Sequence, residues 1–293
     1  MTEKFQKYRW YFLALLFAAT SFVWCVVYRE DIHGVLTVAF LDVGQGDSIY
    51  IEAPNGNQIL LDGGPDKKVL KSLGAVMPFY DRSIDLLALS HPHLDHFGGF
   101  LYILPRYSVG GFASSGTVHD TSEYKQLLGV LDLPAGQQDS KSIKRIVLER
   151  GEEIDMGSGV TLEVLLPDRD VEKTTPHDGV LVMRMNYGKT SIMLTGDMEE
   201  RLENYLVALD SRGLESTVLK IGHHGSHTST GRAFLGYVSP EYAVISSDGG
   251  KRYGHPHKET LDTISKFGVT VLRTDEDGTI IFKSDGEKIS LAQ

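Results

Sequence analysis

The sequence predicts one α/β (α+β) domain from about residue 34 to the end, two β-sheets packed together with helices outside, behind an apolar N-terminal segment. Three observations predict it. Short β-rich runs recur along the chain, stretches of helical periodicity fall between them, and no Pro- or Gly-rich linker divides it. A length of 293 residues suits one large domain, and 41% apolar with 23% charged residues is ordinary for a chain with a real core.

The first element is the segment 10–28, WYFLALLFAATSFVWCVVY, which carries no charge. At about 1.5 Å per residue it is just long enough to cross about 30 Å of hydrocarbon. Trp10, Tyr11, Trp24 and Tyr28 sit near its ends, where an aromatic belt belongs. Lys4, Lys7 and Arg9 precede it, and Arg29, Glu30 and Asp31 follow. The positive-inside rule then gives a short cytoplasmic stretch at 1–9, a transmembrane signal anchor at 10–28 held in the lipid bilayer, and an extracytoplasmic domain at 34–293. The run is longer than the apolar core of a usual signal peptide. Cys25 lacks the small neighbours of a lipidation site. As the only cysteine, it also excludes an intrachain disulfide and a thiolate metal site.

Strands are expected at 35–41, 48–52, 58–61, 85–89, 160–166, 180–185, 191–194, 218–221, 242–245, 270–272 and 279–282. Asn55-Gly56 reads as a hairpin turn between the second and third. Helical periodicity appears at 122–131, 199–209 and 258–267, and 134–141 is the most loop-like stretch.

The polar clusters fall at strand ends. Ser90-His-Pro-His-Leu-Asp-His-Phe-Gly-Gly99 follows the 85–89 strand and puts His91, His93, Asp95 and His96 within six residues. A divalent cation wants three or more N or O ligands with a position open for water, and such a loop offers that set. Pro176-His-Asp-Gly179, Thr195-Gly-Asp197 and Gly222-His-His-Gly-Ser226 also border apolar runs. Asp197 alone reads equally as a helix cap, but four such clusters in one domain point to a metal site. The formal net charge of −10 argues against a broad nucleic-acid groove, while Lys220, Arg232, Lys251 and Arg252 near the clusters offer local phosphate contacts.

H-x-H-x-D-H with Gly-Gly, then Thr-Gly-Asp, then His-His-Gly-Ser resembles the metallo-β-lactamase superfamily. Phe40-Leu-Asp-Val-Gly-Gln-Gly-Asp47, Leu60-Leu-Asp-Gly-Gly64 and Arg252-Tyr-Gly-His-Pro-His257 narrow it. With them the chain is similar, over 35–282, to the extracellular metallohydrolase domain of the ComEC DNA-uptake family. The channel helices and oligonucleotide-binding module of that family have no counterpart here, so a stand-alone, singly anchored hydrolase is expected.

The resemblance implies an αββα sandwich with two divalent metal ions, zinc or manganese, along one edge. One ion falls to His91, His93 and a third residue. The second falls to Asp95, His96 and His224, and Asp197 bridges. The family often carries Asn-Asn or Asn-Asp where this chain has His177-Asp178; His177 fits as the third ligand, with Asp178 the alternative. Asp95 and His223 are the expected catalytic residues, His223 as general acid or phosphate contact. Because consecutive side chains of an extended chain point apart, His223 and His224 are expected to face different partners. Asp62 is expected to orient a ligand imidazole, and Ser226 and His255 to lie on the substrate side. Asp42 and Asp47 read equally as turn residues.

Such a site lowers the pKa of a bound water toward about 7 and supplies hydroxide. The expected function is a phosphodiesterase, including a nuclease acting on single-stranded DNA outside the membrane. The alternatives are hydrolysis of another ester (a phosphocholine-type headgroup, a lactone or a β-lactam) and a non-catalytic module that docks a separate membrane channel protein during DNA import.

Overall fold

The structure, a computed structural model, describes the backbone of residues 2–29, 34–132 and 143–292. In the first stretch side chains are described for residues 8–24. The expected loop 134–141 and the Cys25 side chain lie outside the described residues. The chain divides into two units, Met1–Gly34 and Val35–Gln293.

The first unit is one helix, α1 (Thr2–Arg29), with large apolar side chains such as Leu15 and Phe17 exposed. Among the described residues no helix is long and apolar enough to cross a membrane. The described side chains stop short of the about 20 apolar residues that a bilayer requires. The transmembrane anchor expected at 10–28 is therefore not supported by the described residues.

In the second unit fifteen strands form two sheets among the described residues. The first sheet holds β1 (Leu36–Phe40), β2 (Ile49–Glu52), β3 (Gln58–Leu61), β4 (Ser83–Leu89), β5 (Ser108–Ser114) and β6 (Lys144–Val147) side by side. The second runs through β7 (Glu153–Gly157), β8 (Val160–Leu166), β9 (Val182–Tyr187), β10 (Thr190–Leu194), β11 (Val218–Lys220), β12 (Tyr242–Ile245) and β13 (Thr270–Arg273). The chain then returns to the first sheet, where β14 (Ile280–Ser284) pairs with β1 and β15 (Ile289–Ala292) forms the edge.

Period-2 alternation explains why the sheets stack. In β1, Leu36, Val38 and Phe40 face a core shared with Leu162, Val164, Met183, Met185 and Ile192 of the second sheet. Ala39 and Leu41 face the opposite way, into a second core with Val69, Leu73, Phe100 and Leu127. Those residues come from α2 (Lys68–Val76), α4 (Phe100–Ile103) and α5 (Ser122–Leu131), with α3 (Leu94–Phe97) just before α4. A third core joins the outer face of the second sheet to α6 (Glu200–Leu209), α7 (Arg232–Val238) and α8 (Lys258–Lys266) through Leu206, Phe234, Leu235 and Ile264. Three apolar cores between four layers make an αββα sandwich.

The pairings from β3 to β6 and from β10 to β13 are parallel. The ends of β4, β10 and β11 each release a polar loop. In open α/β sheets, ligands bind at the carboxyl ends of such strands.

Candidate metal centre

Ser90 follows β4, and the chain turns at once through His91-Pro92-His93 into α3. The turn is held by His93 N–H donating to His91 O and His96 N–H to His93 O, both at 2.9 Å. The glycines that follow are required by packing: a Cβ on Gly99 would run into the Gly63 carbonyl. The ligand loop and the Asp62-Gly63-Gly64 loop are thereby seated on one another.

Two groups of side chains converge there. His91, His93 and Asp197 bring ligand atoms within 4.8 Å of one another, and so do Asp95, His96 and His224. Asp197 lies between them. Its Oδ2 is 3.6 Å from His91 Nε2, and its Oδ1 is 3.3 Å from both His96 Nε2 and His224 Nε2. Asp95 Oδ2 is 3.4 Å from His224 Nε2. The His177 ring stands 4.7 Å from the His93 ring and 5.6 Å from the His91 ring. Asp178 points elsewhere: it pairs with Arg201 and lines a neighbouring cavity with Arg169 and Tyr205. The alternative third ligand is thus drawn off by an arginine.

The groups behind the ligands fix their aim. Asp62 adopts a φ of 60°, rare for a residue with a side chain. Its carboxylate accepts from Ser90 N and Ser90 Oγ at 2.7 Å and lies 2.8 Å from His96 Nδ1. This turns His96 Nε2 toward Asp197. His224 Nδ1 donates to the Ser246 carbonyl at 3.0 Å, which leaves Nε2 for the cluster.

Several placements were not legible in the sequence. Asp47 is fully buried, forms a 2.9 Å ion pair with the equally buried Lys220 and stands 3.5 Å behind His224 Nδ1. Lys220 is therefore no phosphate contact, because its charge is spent inside the protein. Arg232 lines a different cavity with His227 and Glu259. Glu199 lies 3.4 Å from His223 Nδ1, and His119 Nδ1 donates to the Pro92 carbonyl at 2.9 Å. No motif marks Glu199 or His119, since tertiary packing alone brings them in.

The His-His pair corrects the extended-chain argument. Gly222–Gly225 is a tight turn in which His223 and His224 adopt left-handed φ of 46° and 54°. The two rings still part. His224 is buried among Asp95, His96 and Asp197, while His223 is partly exposed, with Nε2 4.0 Å from Asp197 Oδ2. His255 stands 5.5 Å from His223 ring to ring on the wall of the cleft. Ser226 does not reach the cleft lining: its hydroxyl faces Thr228 within the turn.

The electrostatics match a cation site. Burial pushes His91 well below its ordinary pKa, helped by neighbouring His96, and burial takes His93 down to about 4. Burial works against charge on His96 and His224 as well, but Asp197 with Asp62 holds His96 well above its usual value. Asp197 with Asp47 lifts His224 to about 10. Asp197 stays ionised despite burial because His224, His96 and His91 surround it. Among the described residues its Oδ1, His96 Nε2, His224 Nε2 and His177 Nδ1 are buried without a hydrogen-bond partner. Unmade bonds of this kind cost about 1–3 kcal/mol each; a divalent cation among these donors satisfies them together. The cleft above measures about 550 Å³ and is lined by Gln45, Leu94, His223, Tyr253 and His255 besides the clustered side chains.

Residues 41–249 match the family described as Metallo-beta-lactamase superfamily. The chain is 30% identical over 264 residues to ComE operon protein 3 of Bacillus subtilis, covering 84% of this chain and 33% of that protein. It is 32% identical over 250 residues to Competence protein ComA of Neisseria gonorrhoeae, covering 84% of this chain and 32% of that protein. The chain thus spans about a third of the length of these relatives. Among solved structures it is similar to the metallo-beta-lactamase fold protein YhfI from Bacillus subtilis. That match has a TM-score of 0.54 and 13% identity, covering 84% of this chain and 98% of that one.

Proposed function

The chain belongs to the metallo-β-lactamase superfamily, and from that premise we propose that it is a metal-dependent phosphodiesterase, with single-stranded DNA as a substrate and DNA uptake as its setting. The observation that carries the reading is the convergence on the Asp197 carboxylate of buried imidazole nitrogens that have no hydrogen-bond partner among the described residues. A scaffold with no cation has no use for them.

In this reading His91, His93 and His177 would hold one divalent ion and Asp95, His96 and His224 a second, with Asp197 between the two groups. The donor set of imidazole and carboxylate suits zinc and manganese. Ions bound there supply Lewis acidity and lower the pKa of water toward about 7. The protein's own contribution is orientation. Asp62 and Ser90 set His96, the Ser246 carbonyl sets His224, and Asp95 lines the cleft beside His224. His223 stands at the rim with Glu199 behind it, placed to hand a proton to the leaving oxygen.

The similarity to a protein named for competence supports DNA as substrate. So does the rim of the cleft, where the exposed ring of Tyr253 lies beside the Arg252 guanidinium, 5.2 Å from its centroid. An exposed aromatic with an arginine at its face suits an unstacked base and its phosphate. A separate channel protein and a bilayer bound through residues 10–28 complete the proposed setting.

The test is metal analysis of the purified protein, paired with assays on bis(p-nitrophenyl) phosphate, single-stranded DNA, a lactone and a β-lactam. Turnover of the first two alone supports the proposal. Turnover confined to the lactone or β-lactam replaces it with another ester hydrolase, and a metal-free, inert protein replaces it with a docking module.

A further inference from the structure

We propose that Gln45 is a substrate-contacting residue whose side-chain amide binds the phosphoryl group at the metal centre. The inference rests on the phosphodiesterase reading and names a residue of that site that neither the ligand set nor the motifs assign.

Gln45 is 5% exposed, yet among the described residues neither its Nε2 nor its Oε1 has a hydrogen-bond partner. It lines the cleft together with His93, Asp95, Asp197 and His224. Buried amides are almost always paired, because leaving one unpaired forfeits its hydration without return. An orphaned amide on the wall of a cleft beside a cation site is accounted for by a ligand that occupies the cleft.

The loop is built to hold the amide there. A Cβ on Gly46 would run into the Asp95 carbonyl, so the loop backbone lies directly against the start of α3. Asp47 N–H donates to the same carbonyl at 3.3 Å, and Gly64 N–H donates to Asp47 O at 2.7 Å. On the other side Gly44 N–H donates to Asp42 Oδ1 at 3.1 Å. The Asp47–Lys220 ion pair then ties the loop to β11, the strand that leads to His223 and His224. Gly44 and Gly46 have φ of 80° and 125°, which only glycine adopts without strain. Gln45 is thus displayed between two glycines on a loop pinned at both ends.

An amide needs an acceptor for Nε2–H and a donor for Oε1. A phosphoryl group offers the first through a nonbridging oxygen. The alcohol or water beside it offers the second. A fixed donor aimed at an oxygen on which charge builds is the kind of contact that accelerates acyl and phosphoryl transfer.

The test uses the metal-loaded protein and inorganic phosphate, with binding measured by calorimetry and metal counted by mass spectrometry. Gln45→Met is close in volume and removes both polar atoms; Gln45→Asn keeps the amide one methylene short. The expected result is full metal content in both variants, with phosphate affinity at least about tenfold weaker for Gln45→Met, the loss of a hydrogen bond to a charged group. Gln45→Asn should fall between Gln45→Met and the unaltered protein, and it carries the test if Gln45→Met does not fold. Unchanged phosphate affinity in the folded variants overturns the proposal. Loss of metal in either folded variant also overturns it, since the amide would then be a ligand of the ion. So does an unaltered protein that binds no phosphate. Gln45-dependent phosphate binding without hydrolysis of any phosphodiester would instead overturn the phosphodiesterase reading and leave the Gln45 contact standing.

Discussion

At the scale of single residues, His223 and His224 are neighbours in sequence that do different things around one carboxylate. The left-handed backbone at both positions buries His224 against Asp95 and Asp197 and leaves His223 at the rim with Glu199. His224→Ala is expected to lower metal content and turnover together. His223→Ala should keep the metal and lose turnover by roughly the 10²–10⁴-fold typical of a general acid. The loss should be smaller for a good leaving group such as p-nitrophenolate. Metal analysis with rates on two leaving groups checks this, and metal lost only from His223→Ala would reverse the roles. The side-chain cluster was legible because His91, His93, Asp95 and His96 are local in sequence. Glu199, His119 and the Asp47–Lys220 pair were not, because they reach the site only through long-range packing. Lys220 shows the hazard most clearly. A lysine beside a His-His motif reads as a phosphate contact, yet it lies fully buried against Asp47.

At the scale of elements, Glu203 of α6 shows how the helices of the second sheet are fastened. Its carboxylate accepts from Thr230 N–H and Gly231 N–H, both at 2.7 Å, just before α7 begins, so one helix caps the next. Burial pushes its pKa from the ordinary 4.5 up to about 7, against the pull of those two N–H groups. The folded state therefore holds this proton more tightly than the unfolded state. The contribution is fully present below about pH 4.5 and is lost as the pH rises toward and through about 7, by at most about 1.4 kcal/mol per pH unit. Chemical denaturation across that window should give a stability difference between the unaltered protein and Glu203→Gln that changes with this sign; a difference independent of pH would contradict it. Strands rich in β-branched residues, such as β8 and β12, were legible from pattern alone. β5, with Gly110-Gly111 inside it, and β6, whose Lys144 and Arg145 lie exposed, were not. A strand held by its neighbours needs little propensity of its own.

At the scale of the whole molecule, the sandwich carries its site at the ends of parallel strands, and the net charge of −10 leaves any polyanion to a local centre. The proposed setting adds a membrane. If residues 10–28 anchor the chain, the protein should sediment with membranes and be released by deleting 1–33. A chain recovered in the soluble fraction with 1–33 intact would remove the bilayer from the account. The fold and the clustering of His and Asp side chains were legible here because strand periodicity and the spacing of polar residues are physical signals within one sequence. The substrate was not, because it depends on how Gln45, Leu94 and Tyr253 line the walls of the cleft; they stand inside the motifs, but the motifs give them no role. The central claim, a cation held by side chains that converge on Asp197, is most directly tested by counting metal in the purified protein. Mass spectrometry should find one to two transition-metal ions per chain, and His96→Ala combined with Asp197→Ala should lose most of that metal while remaining folded. A folded double variant with unchanged metal content would contradict the account.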